Sequence, residues 1–278
     1  MKKKWAIGQR FLPPDCSSFL SPNMESDGIT LEGIRAFITS RGGPAALAGL
    51  TTTQVCEGHM KPMTAAAGTS FCLAFPAHAG PATVFVSHAW AYRFLKLITA
   101  LEAWEAKRLA AGATTPTFFW LDLFTNSQHG TAARPFEWWR DTFSSSVSAI
   151  GHTLLVLEWE DPVLLRRAWC LLEITASLKD RQPPTVLEVV MAPEEVGAFE
   201  RALVREFDTL LVRNCAVHAE RAEASNAEDR ERIFQALRET LGFEEVNKQV
   251  IGRMREWMAE AGKATLGGWA GMRGGILP

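Results

Sequence analysis

With 278 residues, 47% of them hydrophobic and 22% charged, and a formal net charge of −2, the chain has an ordinary globular make-up, enough for one large domain or a medium one with extensions. The charge balance gives no bulk attraction to nucleic acid or to an anionic membrane surface, and no window approaches the ~18 uninterrupted apolar residues of a membrane span. The five cysteines are odd in number and widely spaced, with no C-x-x-C pair and no clustered His/Cys set, so reduced, mostly buried thiols in a cytoplasmic protein are expected, with neither a disulfide framework nor a metal site.

Residues 1–28, rich in Pro, Ser and Asp, read as an irregular leader, and Pro13-Pro14-Asp15 interrupts any signal-peptide apolar region. Ile29–Arg41 has Leu31, Ile34, Phe37 and Ile38 on one helical face, and Gly42-Gly43-Pro44 ends it. The run to Gly80 carries mixed signals. Residues 1–80 are therefore expected to form an extension packed on the main domain, with Phe71, Leu73 and Phe75 as its apolar contacts. Thr83-Val84-Phe85-Val86-Ser87 is the first clear strand, apolar at its centre like a strand buried on both faces. His88-Ala89-Trp90 turns into a helix over Tyr92–Leu109. Phe118–Leu121 is a second strand ending at Asp122, and Thr125–Gly130 is a polar loop. Pro135–Ile150 is a third helical segment, weakened by Ser144-Ser145-Ser146, which favour caps over helix interiors.

Leu154–Leu157 is the third strand. A loop through Pro162 leads to the helix of Trp169-Cys170-Leu171-Leu172-Glu173. On a helical wheel Leu164, Ala168, Leu171, Leu172 and Thr175 share the apolar side, so Glu173 taken alone reads as a solvated surface glutamate. Trp169 and Cys170, one turn earlier, flank it and make its side of the helix less simply polar. Val186–Val190 is the fourth strand and Pro193–Phe207 a further helix. Strands recurring about every 30–35 residues with helices between them are the spacing of right-handed crossover units, so a parallel α/β sheet with helices on both faces is expected over 81–218. Leu210–Val217 is the only stretch available for a fifth strand, and Arg213-Asn214 in its middle makes it a poor one. Residues 219–278 read as a helical hairpin and tail: Ser225 or Asn226 caps a helix to Leu241, Gly242 stops it, and Val246, Val250, Met254, Trp257 and Met258 stripe the next helix, with Gly267–Pro278 loose.

With the elements placed, three motifs can be compared with known families. Val84-Phe85-Val86-Ser87-His88-Ala89 resembles the first-strand motif of Toll/interleukin-1 receptor (TIR) domains. Trp169-Cys170-Leu171-Leu172-Glu173 resembles their W-C-x-x-E helix motif, and it follows the third strand as in that family. Trp120-Leu121-Asp122-Leu123-Phe124 with Asn126 and Gln128 resembles a stretch of heterokaryon-incompatibility domains, which are similar to TIR domains. The resemblance covers about Thr83–Phe207 and implies a flavodoxin-like parallel sheet with helices on both faces. It also implies cleavage of the nicotinamide–ribose bond of NAD in a signalling or defence role, activated by self-association as a homo-oligomer or with other TIR-like domains. By the same resemblance Glu173 is the catalytic residue. Trp169 stands near the ligand, Ser87, His88, Ala89 and Trp90 shape the pocket, and Asp122 and Phe124 form its opposite lip.

The chemistry fits one carboxylate. The bond to a pyridinium breaks with a neutral leaving group, so no general acid is required, unlike glycosidases with two carboxyl groups. A single Glu can hold the ribose and face the oxocarbenium charge. Two other readings compete: a non-catalytic signalling module using the same surfaces, and a nucleoside deoxyribosyltransferase-like enzyme with a covalent Glu nucleophile. A flavin binder is disfavoured because no Ser/Thr/Gly-rich phosphate loop follows the first strand, and a nucleoside triphosphatase because no G-x-x-x-x-G-K-[ST] occurs.

Overall fold

The computed structural model describes residues 27–130, 134–178 and 185–273, with backbone only for 267–273. Six strands form one sheet: β1 (Asp27–Ile29), β2 (Ala79–Pro81), β3 (Val84–Ser87), β4 (Phe119–Trp120), β5 (His152–Val156) and β6 (Val186–Val190), in the order β2-β1-β4-β3-β5-β6. The four strands expected from sequence are β3 to β6, and they pair in parallel. β1 pairs antiparallel with both β2 and β4, so the sheet gains an antiparallel edge from residues that gave no strand signal.

Helices cover both faces, because β3 and β5 alternate their side chains between two cores. Val84, Val86, Leu154 and Val156 pack on one side with Ile34, Phe37, Phe94 and Leu97 of the helices Leu31–Ser40 and Phe94–Ala110. Phe85 points to the other side, where it stacks on Trp120 at 4.7 Å and 14°, beneath Phe143 of the helix Phe136–Ile150. Gly151, at φ 72°, ends that helix in the left-handed conformation and hands the chain to β5.

Gly28 explains how β1 approaches β4 so closely. A Cβ there would lie 2.7 Å from the Phe118 carbonyl carbon and 2.9 Å from that of Phe119, both backbone atoms that cannot move aside. Gly28→Ala is expected to lower stability by about 1–3 kcal/mol, the usual cost of overpacking, read as a lower urea midpoint at unchanged slope.

Several expectations need correction. Leu210–Val217 is not a strand. Phe207–Asn214 is a helix, and the buried Asn214 donates from Nδ2 to the Leu210 carbonyl one turn back, a partner that an extended chain would not supply. Of the proposed apolar contacts before residue 80, Phe71 is buried, whereas Leu73 and Phe75 are exposed at 54% and 39%. Thr125–Gly130 is not all loop, since Asp122–Thr125 forms one helical turn. The C-terminal pair is Ala227–Thr240 and Phe243–Arg273, joined through Gly242 at φ 77°. The second helix runs to Arg273, into the Gly267–Pro278 stretch where a loose tail was expected, and 274–278 lie outside the described residues, as do 1–26 of the leader. Val246, Val250, Met254, Trp257 and Met258 are all buried, with Trp257 stacked on Phe199 at 5.0 Å.

Candidate active site

The parallel strands reverse direction of progress between β3 and β5: the chain goes from β3 to β4 on one side, then crosses to β5 on the other. In open α/β sheets ligands gather beyond the carboxyl ends of the strands at such a reversal. Ser87 is the last residue of β3 and shares the face of Phe85. Its Oγ donates to Glu173 Oε2 at 2.5 Å.

Glu173 reaches that point because its helix starts late. Val163–Arg166 is a 3-10 turn, Arg167 is extended, and the α-helix spans Ala168–Ser177. Glu173 therefore lies in the second turn, roughly 7–8 Å along the axis at 1.5 Å per residue. The start is pinned from two directions. Leu164 N–H donates to the buried Tyr92 Oη at 3.1 Å, while Ala168 N–H donates to Glu223 O and Glu223 N–H to Arg166 O, both at 2.8 Å. The segment before the C-terminal helices thus positions the Glu173 helix as a short parallel bridge. Tyr92→Phe would leave the Leu164 N–H unsatisfied, so a loss of about 1–3 kcal/mol is expected by thermal or urea unfolding.

The solvated reading of Glu173 does not hold: the residue is 7% exposed. Burial raises its pKa from 4.5 to about 8; the Ser87 hydroxyl opposes this and the Asp122 charge adds to it. Ser87→Ala removes the opposing hydrogen bond and is expected to raise that pKa further, which carboxyl titration by NMR would read directly.

Glu173 lines a cavity of about 740 Å³ together with His88, Ala89, Trp90, Asp122 and Trp169. Trp90 Nε1 donates to Asp122 Oδ2 at 2.7 Å and Leu123 N–H to Oδ1 at 2.8 Å. Despite both bonds, burial raises the Asp122 pKa, with His88 and the hydrogen bonds opposing. His88 is 5% exposed, its pKa is lowered by burial against the pull of Asp122, and its Nε2 has no hydrogen-bond partner among the described residues. Two expected site residues are not in the cavity lining: Ser87 reaches it only through its bond to Glu173, and Phe124 lies elsewhere. It is fully buried on the opposite face, in edge contact with Phe37 at 5.3 Å and Phe71 at 5.4 Å, and it is core, not a cavity lip.

Several cavity residues were not anticipated. Phe136, Trp139 and Phe143 join Trp169 in an aromatic wall, with Trp169 centred 5.5 Å from Phe136 and 5.4 Å from Phe143. Cys56 and Glu57 enter from a π-helical turn, Cys56–Met60, and Ser225, Asn226 and Asp229 from the C-terminal segment. Burial pushes the Cys56 thiol up to about 12 and the Cys170 thiol well above its usual value, so neither is poised as a thiolate nucleophile. Gln128, part of the heterokaryon-type resemblance, is a loop staple: its Nε2 donates to Asp122 O at 2.9 Å and Asn126 O at 3.0 Å. Arg134 and Arg167 also line the cavity, and Arg167 adjoins the helix motif, which was the one available signal.

No protein-family model, curated protein or solved structure shows a significant match to the chain. Among the described residues no group of three or more His, Cys, Asp and Glu is arranged to hold a metal ion, and no helix is long and apolar enough to cross a membrane.

Proposed function

We propose that the chain is a TIR-like NAD+ glycohydrolase that cleaves the nicotinamide–ribose bond at Glu173. The observation that carries this reading is the buried Ser87–Glu173 hydrogen bond at the carboxyl end of β3, opening into a cavity walled by tryptophans. The spatial order of the parallel strands, β4-β3-β5-β6, supports a flavodoxin-like sheet in which the helix Phe207–Asn214 stands where a fifth strand would follow.

The proposed steps are these. The C1′–N bond breaks and its electron pair stays on the pyridine nitrogen, so nicotinamide leaves neutral. Positive charge develops on the ribose and faces the Glu173 carboxylate, in a site where burial strengthens the attraction. Water adds to C1′ and its proton passes to Glu173, giving ADP-ribose; attack by an adenine nitrogen instead gives a cyclised product. The cationic pyridinium of the incoming substrate favours the carboxylate form and offsets the burial that otherwise keeps Glu173 protonated. Trp90 or Trp169 offers a face for the ring. Self-association of the domain and a signalling or defence role belong to the same proposal.

Two measurements test it. NAD+ is expected to be consumed with nicotinamide release while NADH, which has no cationic leaving group, is spared; consumption of both at similar rates would sink the mechanism. The profile of kcat/KM against pH, which reports the free protein, is expected to rise and level off above about 8, the value at which Glu173 ionises. A flat profile from pH 5 to 9 would count against Glu173 as the acting carboxylate.

A further inference from the structure

Among the described residues four cations line the cavity: Lys61, Arg134, Arg167 and Arg232. Two are neutralised, Lys61 by Glu57 at 2.5 Å and Arg232 by Glu228 at 2.7 Å. The other two have no carboxylate in ion-pair range among the described residues. The Arg134 guanidinium lies 4.1 Å from the Trp138 ring centre and 5.4 Å from that of Trp139, and its Nη1 is buried with no hydrogen-bond partner among the described residues. The two rings contact the guanidinium but do not neutralise its charge. Among the described residues Arg167 donates from Nη2 only to a neutral group, Ser225 Oγ, at 2.8 Å.

The place of Arg167 is itself unfavourable. It is the N-cap of the ten-residue helix Ala168–Ser177, which has no side-chain cap bond and no acidic residue in its first turn. The positive end of the helix dipole and an arginine repel each other, and an anion there would satisfy both. The nearby acids do not fill that role: Glu228 is taken by Arg232, whose charge also acts on Asp229. Along the helix, Arg167 precedes Glu173 by about 9 Å at 1.5 Å per residue, with Trp169 on the turn between them.

We infer that Arg134 and Arg167 form a diphosphate-binding subsite in the cavity that Glu173 lines, and that the ligand class is a nucleoside diphosphate or a dinucleotide built on one. The subsite rests on the glycohydrolase reading only for the identity of that dinucleotide. One oxygen-rich diphosphate supplies acceptors to both guanidiniums, which a nucleoside or a neutral sugar does not. The aromatic wall beside Arg134, formed by Phe136, Trp139 and Phe143, gives a base a surface to stack on.

The test is calorimetric titration of the full chain with ADP and with adenosine, which lacks only the diphosphate, for wild type, Arg134→Ala, Arg167→Ala and Arg167→Lys. Wild type is expected to bind ADP at least ten-fold tighter than adenosine. Each alanine variant should lose most of that preference with adenosine affinity unchanged, and the lysine variant should keep part of it. Near-UV circular dichroism identifies any variant that fails to fold, and the remaining variants decide. Equal affinity of wild type for ADP and adenosine, no binding of either, or an intact ADP preference in the folded variants would overturn the subsite. ADP preference without nicotinamide release counts against the glycohydrolase alone, and release without ADP preference counts against the subsite alone.

Discussion

Glu173→Gln is expected to reduce nicotinamide release about a hundred- to a thousand-fold while making the protein more stable above pH 8. The first effect follows from the charge. Gln preserves the size and the hydrogen bond to Ser87 Oγ, but it offers no negative charge to the developing oxocarbenium ion, and losing preorganised charge stabilisation typically costs about 10²–10³ or more in rate. The second effect follows from linkage. The native pKa is raised from 4.5 to about 8, so the folded protein holds a proton that the unfolded chain releases. Stability from this group is complete below pH 4.5 and is lost as pH rises to about 8. At ~1.4 kcal/mol per pH unit, the wild-type loss is on the order of a few kcal/mol. Glutamine does not titrate, so the two unfolding curves should coincide near pH 4, separate as pH rises, and run parallel once pH passes about 8. A residue that only held the fold together would show the opposite sign: its replacement would destabilise at every pH.

Trp120→Ala is expected to cost about 3–5 kcal/mol, the range for emptying an aromatic site in a closed core. Trp120 has no exposed surface, stacks on Phe85 of the neighbouring strand, and meets Phe143 edge-on at 5.5 Å. The loss should also reach the cavity. Phe143 bridges Trp120 and Trp169, so removing the indole frees one side of the aromatic wall. We therefore expect a lower urea midpoint together with a raised KM for NAD+, whereas Gly28→Ala, in the antiparallel part of the sheet between β2 and β4, should lower the midpoint with KM unchanged.

The parallel strands were legible in the sequence because each is a short apolar run, such as Val84-Phe85-Val86, bounded by polar or turn residues. β1 and β2 were not, since Asp27-Gly28-Ile29 and Ala79-Gly80-Pro81 have no such pattern and exist only by pairing with each other and with β4. Glu173 was misplaced on the wheel for a related reason. The apolar stripe shows which face meets the hydrophobic core, but the opposite face is enclosed here by Ser87 and the aromatic wall, which come from distant parts of the chain. Phe124 was assigned to the cavity by its position after β4, yet the helical turn Asp122–Thr125 sends Asp122 toward the cavity and Phe124 to the opposite core. Arg134 and the Ser225–Arg232 segment approach Glu173 only through tertiary packing, and no local signal in the sequence marks them.

The most direct measurement of the central claim is proton NMR of NAD+ mixed with the purified full-length chain at high protein concentration, beside Glu173→Gln. The proposal predicts that free nicotinamide resonances grow well past one equivalent of protein with wild type, matched by ADP-ribose or its cyclised form, and stay absent with the folded variant. Intact NAD+ with wild type at every protein concentration, or equal nicotinamide release by the variant, would contradict it.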